Sequence, residues 1–259
     1  MYQYQLKITA FFFLLLISTG LFAQDQQKSA PAADFKKFQV GINVSPDYSF
    51  RVLKNNDGSA YSNDVIKSRN SYEVPKLSYT AGLDLTYNFK KHIGIEIGIQ
   101  YSNKGYQTRM QDLILGSMID PRRGFAYSTT GPVPTQGKII YNDYYLDIPL
   151  KANFTLGEKK IRFIVSAGIV TNIFLKETVT SVFDYQDGSH TRKTTASGYD
   201  YNQLDISPMI SAGINWKLNN RSDLKIEPTF RYGVLKIIDA PVTGYLWSAG
   251  LNVGYYLGW

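Results

Sequence analysis

The chain has 259 residues, a formal charge of +7 and no cysteine. Disulfides, thiolate metal sites, a cysteine nucleophile and a lipid-modified N-terminal cysteine are thereby excluded. Tyrosine is abundant, with 20 Tyr beside 14 Phe and 3 Trp, a bias shared by membrane–water boundaries and sugar-binding surfaces.

The first segment, 1–23, has the form of a cleaved signal peptide. Lys7 gives a positive start, Ile8–Phe22 is almost wholly apolar, and Ala23 is the small residue before a cut at Gln24. The apolar stretch is shorter than a bilayer-spanning helix requires. Loss of Lys7 lowers the net charge by one. Residues 24–37 are polar and rich in Ala, Gln and Lys, and are expected to form a mobile periplasmic tail.

From Phe38 to Trp259 the dominant signal is apolar alternation with period two. It runs through Phe38–Val52, Leu77–Phe89, Ile93–Tyr101, Ile140–Phe154, Ile161–Leu175, Leu204–Leu218, Leu224–Val234 and Tyr245–Trp259. No helical periodicity of useful length intervenes. Lys90–His92, Thr155–Lys160 and Asn219–Asp223 are tight connections. Leu53–Lys76, Ser102–Ile139 and Lys176–Gln203 are long, and Leu235–Gly244 is intermediate. Eight strands with every long loop at one end predict an all-β fold over 38–259. The form is an eight-stranded antiparallel up-and-down transmembrane β-barrel with short periplasmic turns and long extracellular loops. Pro149, Pro208 and Pro228 fall within strands and predict bulges or breaks, because proline lacks a ladder donor.

A soluble barrel points its apolar face inward, a membrane barrel outward. Two features favour lipid. The eight apolar faces carry no Asp, Glu, Lys or Arg, in a chain that is 19% charged; an Arg or Lys at mid-bilayer costs about 2–4 kcal/mol. The opposite faces hold Gly41, Gly82, Gly94, Gly98, Gly168, Gly213, Gly233, Gly250 and Gly254, which offer nothing to a solvent face but make room inside a narrow barrel. Beside them lie Asp84, Glu96, Asp147, Lys151, Arg162, Asp205, Lys217, Lys225, Glu227 and Arg231. Charges of both signs on an enclosed face predict a self-neutralising interior network. The chain is therefore expected in the outer membrane.

Two stretches carry recognisable text: Ile99-Gln-Tyr-Ser-Asn-Lys-Gly-Tyr106 and Tyr145-Leu-Asp-Ile-Pro-Leu-Lys-Ala-Asn-Phe154. They resemble signatures of the PorT-like outer-membrane β-barrel family of Bacteroidetes, and Lys151–Asn153 departs from its more apolar pattern. The resemblance implies an outer-membrane barrel of about eight strands. Through the eponymous member it also implies an association with type IX protein secretion. The terminal Trp259 resembles the signal read by barrel-assembly machinery.

Candidate chemistry is thin. His92 falls in a periplasmic turn. Asp187, Ser189 and His190 are the right residue types for nucleophilic catalysis, but they are neighbours at an Asp-Gly turn. Asp112 and Asp120 lack metal-ligand spacing. No catalytic, cofactor or metal site is expected. The second long loop contains an apolar run that a polar extracellular loop does not need: Leu113, Ile114, Leu115, Met118 and Ile119, followed by Arg122 and Arg123. It is a candidate lid, membrane-surface helix or partner-binding site, its arginines suited to lipopolysaccharide phosphates. The Lys and Arg residues are scattered over turns and loops, which argues against nucleic acid. The expected partners are outer-membrane lipid, lipopolysaccharide and other envelope or secretion proteins. The function expected is a non-enzymatic barrel with binding outer loops. A small-solute pore or transporter and a soluble periplasmic ligand-binding barrel are the alternatives.

Overall fold

The computed structural model describes residues 35–113, 133–198 and 200–259. The expected signal peptide, most of the tail and most of the second long loop lie outside these residues. In chain order the elements are β1 (Phe38–Asn55), α1 (Ala60–Tyr72), β2 (Glu73–Val74), β3 (Lys76–Lys90), β4 (Ile93–Thr108) and β5 (Gln111–Asp112). There follow β6 (Pro134–Leu156), β7 (Ile161–Tyr185), β8 (His190–Ala196), β9 (Leu204–Lys217), β10 (Ser222–Tyr232) and β11 (Val242–Gly258).

Eight of the strands form a closed antiparallel ring in the order β1, β3, β4, β6, β7, β9, β10, β11. The ring closes through β1 and β11, in register from Gln39↔Gly258 to Asn55↔Val242. At the periplasmic end Phe38 and Trp259 exchange backbone hydrogen bonds of 3.2 and 3.0 Å. Closure leaves no unpaired edge in lipid.

Burial alternates along each strand as the sequence pattern requires, with the apolar set outward. In β1, Val40, Ile42, Val44 and Tyr48 are exposed, while Gln39, Asn43, Ser45, Asp47 and Arg51 are buried. Such an inside-out arrangement is stable only where lipid covers the outer face.

Two aromatic belts bound the apolar band. At the periplasmic end Phe38, Tyr87, Phe89 and Trp259 are in ring contact. At the outer end Phe50 and Phe230 flank Trp247, and Tyr101 lies between Tyr79 and Tyr144. Eight residues along β3 separate Tyr79 from Tyr87. At about 3.4 Å per residue and a tilt near 40° they span roughly 20 Å along the membrane normal, close to the expected apolar band of about 25 Å.

The turns at 91–92, 157–160 and 218–221 share the periplasmic end. At the outer end β6 and β7 run on past the aromatic belt and pair with the short strands β5 and β8. The first long loop contains α1, which the sequence pattern does not reveal. The helix buries only Ser62 and starts where Ser59 Oγ accepts from Ser62 N at 3.1 Å; its start rests on this cap rather than on a buried apolar stripe.

The prolines interrupt the ladders unequally. The β4–β6 register skips from Ile97↔Leu150 to Gln100↔Asp147 around Pro149. The β9–β10 register skips from Ile226↔Ile214 to Thr229↔Ser211 around Pro228. Pro208 sits just beyond the last β9–β10 pair, Arg231↔Met209, and leaves the β7–β9 ladder intact. Pro46 produces a further skip, in the β1–β11 ladder.

Candidate functional site: a charged lumen and an aromatic mouth

Alternation sends charged side chains into the lumen, and the stagger of the ring decides which of them meet. At the periplasmic end Asp223 lies 2.9 Å from Lys36 Nζ and 3.5 Å from Arg162, and accepts from Gln39 at 2.6 Å. Lys36 therefore turns into the barrel mouth and is buried there.

The middle layer is organised by Glu96. Its carboxylate lies 2.9 Å from Lys151 Nζ and 2.7 Å from Lys225 Nζ. It also accepts from Thr86 at 2.8 Å and Asn153 at 3.0 Å, and lies 3.1 Å from the Tyr256 hydroxyl. Lys225 Nζ stands 3.8 Å from the centroid of the Tyr256 ring. Asp84 receives Gln100 and the Tyr256 hydroxyl, each at 3.0 Å, and Asn43 Nδ2. Glu227 accepts from Ser166 at 3.0 Å and Ser211 at 2.9 Å, and faces Lys151 at 3.6 Å. Asp47 faces Arg231 at 3.5 Å and accepts from Thr80 at 2.7 Å. Each of these carboxylates thus has a cation or several donors, as burial demands.

Higher up, Lys104 bridges Asp147 at 3.0 Å and Asn172 at 2.5 Å. Asn172 donates to Asp205 at 3.2 Å, and Asp205 also accepts the Leu235 backbone N–H at 3.1 Å. Above this layer Tyr145, Tyr201, Ile237 and Leu246 form a buried apolar plug, with Phe174 and Ile238 against it. Tyr201 donates to Glu177 at 2.6 Å. Burial, the Asp143 carboxylate and this contact push its hydroxyl well above the ordinary tyrosine range, so it remains a donor.

Of the ten charged residues that the sequence places inward, Asp84, Glu96, Asp147, Lys151, Arg162, Asp205, Lys225, Glu227 and Arg231 point into this lumen, and Lys217 stands half-buried at the periplasmic end of β9. They form layers rather than a single cluster. The sequence reading missed Asp47, Lys104, Asp223 and Tyr256, although each lies in the inward phase of its strand. Arg51 and Glu73 were also missed, and no periodic signal announces them as a pair. Glu73 lies after α1 and returns to the mouth, where its carboxylate takes Arg51 at 2.6 and 3.1 Å.

Glycine makes the middle layer possible. A Cβ on Gly41 would sit 2.5 Å from the Tyr256 ring, and one on Gly254 would sit 2.6 Å from it. Only hydrogen at both positions lets the phenol lie flat between two strands.

The outer mouth is a cavity of about 260 Å³. Arg51, Tyr106, Tyr141 and Tyr201 line it, with Arg69 and Ile237. The Arg51 guanidinium lies 3.6 Å from the Tyr106 ring centroid, and Tyr106 stacks on Tyr141 at 4.5 Å. Of the expected partner-binding run only Leu113 is described; its N–H donates to Thr135 O at 2.7 Å, at the outer end of β6. Ile114, Leu115, Met118, Ile119, Arg122 and Arg123 lie outside the described residues.

The hairpin tip brings no triad together. His190 Nδ1 lies 2.7 Å from Asp184, while Ser189 Oγ donates to Asp187 at 2.6 Å. His92 contacts the Thr155 carbonyl in a periplasmic turn.

Residues 22–239 match the family model described as outer membrane protein beta-barrel domain. The chain belongs to this family. With the inverted burial and the two belts, membership places the protein in the outer membrane. No functionally curated protein matches the sequence.

Solved structures of similar shape include OprG, an outer membrane protein from Pseudomonas aeruginosa. It is 12% identical, with 86% of this chain and 97% of that one covered and a TM-score of 0.45. Neisserial surface protein A is 11% identical, with coverage of 86% and 97% and a TM-score of 0.43. The outer membrane protease OmpT from Escherichia coli is 6% identical, with coverage of 90% and 100% and a TM-score of 0.42.

Proposed function

We propose that this protein is a non-enzymatic, closed outer-membrane barrel. Its lumen is a structural strut, and its outer loops bind a partner or the envelope surface. The observation that carries the reading is the filled lumen. Glu96, Lys151, Lys225 and Tyr256 meet across the barrel at hydrogen-bonding distance, and the apolar plug stands above them. An eight-stranded ring leaves an interior just wide enough for side chains. The strands that run past the outer belt, the helix in the first loop and the aromatic mouth concentrate exposed recognition groups at one end.

The resemblance of Tyr101–Gly105 and Tyr145–Phe154 to PorT-like barrels makes an envelope protein of a secretion apparatus the partner to test first. Cross-linking in intact outer membranes, followed by purification of the tagged barrel, is the test. A defined envelope protein linked through the outer loops supports the reading; a barrel recovered without any cross-linked protein overturns the partner role.

The small-solute pore is the competing reading. Reconstituted into planar bilayers, the closed barrel gives no steady conductance, whereas reproducible unitary currents replace the strut with a channel.

A further inference from the structure

The outer aromatic belt contains a break in the wall that the lumen reading does not use. The β3–β4 ladder ends at Tyr79↔Asn103, and pairing with β4 resumes only at Val74↔Gln107, through β2. Between these points Gly105 has a φ of +117°, a conformation open to glycine, and a Cβ there would lie 3.3 Å from Lys76 Cε.

Lys76 uses this opening. By phase it belongs to the lumen with Ser78 and Thr80, and it is buried. Its ammonium nevertheless bonds Asn103 Oδ1 and Asn142 Oδ1, the latter at 3.0 Å. Asn103 and Asn142 share the outward phase of Tyr101 and Tyr144. The ammonium thus reaches the outward phase of the wall while staying buried, held by two neutral amides at the floor of the opening. Among the described residues no carboxylate lies within 4.0 Å of it.

The opening leads to a groove of about 550 Å³. Its lining includes Lys76, Asn103, Asn142, Tyr79, Tyr144 and Arg192, with no acidic residue among the described residues. Asp143 lies behind it in the lumen phase of β6. Lys176 Nζ stands 5.3 Å from the Tyr144 ring and adds a third cation at the edge.

Two cations, two amides and two tyrosines at the outer-leaflet boundary match one chemistry: anionic oxygens borne by a sugar-like headgroup above acyl chains. We propose that this groove holds the phosphorylated headgroup of an outer-leaflet glycolipid. Lys76 and Arg192 take the phosphate, the amides take headgroup hydroxyls, and Leu77 and Tyr79 face the acyl chains. The inference rests on the outer-membrane placement and is independent of whether the lumen conducts.

The test is native mass spectrometry of the full barrel in nanodiscs containing either lipid A or dephosphorylated lipid A. Lipid A is expected to survive detergent exchange bound one to one, and the dephosphorylated form to wash out. Arg192→Gln, at an exposed position on β8, weakens retention by about tenfold. Lys76→Gln does the same if it folds, and Arg221→Gln in a periplasmic turn has no effect. Equal retention of the two lipids, or retention unchanged by Arg192→Gln, overturns the proposal. Full displacement by inorganic phosphate at matched concentration overturns the lipid assignment in favour of a free anion.

Discussion

Lys225 Nζ lies 2.7 Å from Glu96 Oε2, although the two residues stand 129 positions apart and on opposite walls of the barrel. The contact ties β10 to β4 across the lumen, which neighbouring-strand ladders cannot do. Lys151 approaches the same carboxylate from the adjacent strand, where Glu96 and Lys151 are register partners. Glu96 is therefore the group whose loss leaves most charge unpaired.

Glu96→Gln is expected to destabilise the barrel by about 3–5 kcal/mol, because the buried Lys225 ammonium loses its carboxylate and Lys151 keeps only Glu227 at 3.6 Å. Lys225→Met should cost less, since Lys151 still compensates Glu96. Urea unfolding in lipid, followed by loss of the heat-modifiable folded band on gels, measures both. A double-mutant cycle should show non-additivity of about 0.5–3 kcal/mol. Additive losses would mean that the two charges do not share one network.

Gly41→Ala presses a methyl group against the Tyr256 ring. The expected cost is about 1–3 kcal/mol, the usual penalty of overpacking. Gly198→Ala, with open space around it, is the matched control and should be near neutral. Adding Tyr256→Phe to Gly41→Ala should not rescue it, because the clash is with the ring and not with the hydroxyl.

Ile97 lies midway between the two belts with its side chain exposed. Ile97→Arg should destabilise the reconstituted protein by about 2–4 kcal/mol, whereas Leu156→Arg, at the periplasmic end of β6, should cost less than about 1 kcal/mol. Equal costs at the two depths would contradict a bilayer around the band.

The Arg51–Glu73 pair fastens the segment that follows α1 to the wall of β1. Glu73→Gln removes the anion and weakens that anchor. Proteolysis at Lys67 and Arg69 should accelerate by about tenfold through local opening, with the barrel band unchanged. Loss of the whole folded band would instead make the pair part of the global fold.

Much of this molecule was legible in the sequence because side chains alternate strictly across a strand. The apolar set Val40, Ile42, Val44 and the opposed set Gln39, Asn43, Asp47 are assigned to lipid and lumen by parity alone. The absence of charge from one parity determined the environment. Loop lengths determined which end faces outward. Helix α1 escaped this reading because it buries no apolar stripe, so the only local sign is its Ser59 cap.

Tertiary structure alone decided who meets whom. Parity puts Glu96, Lys151, Lys225 and Tyr256 inside, but only the stagger and closure of the ring bring them to one level. It likewise decided that Glu73 returns from a loop to Arg51, and that Lys76, inward by parity, bonds the outward-phase amides of Asn103 and Asn142 beside a break in the ladder. These contacts join residues far apart in the chain, and their geometry depends on registers accumulated around all eight strands.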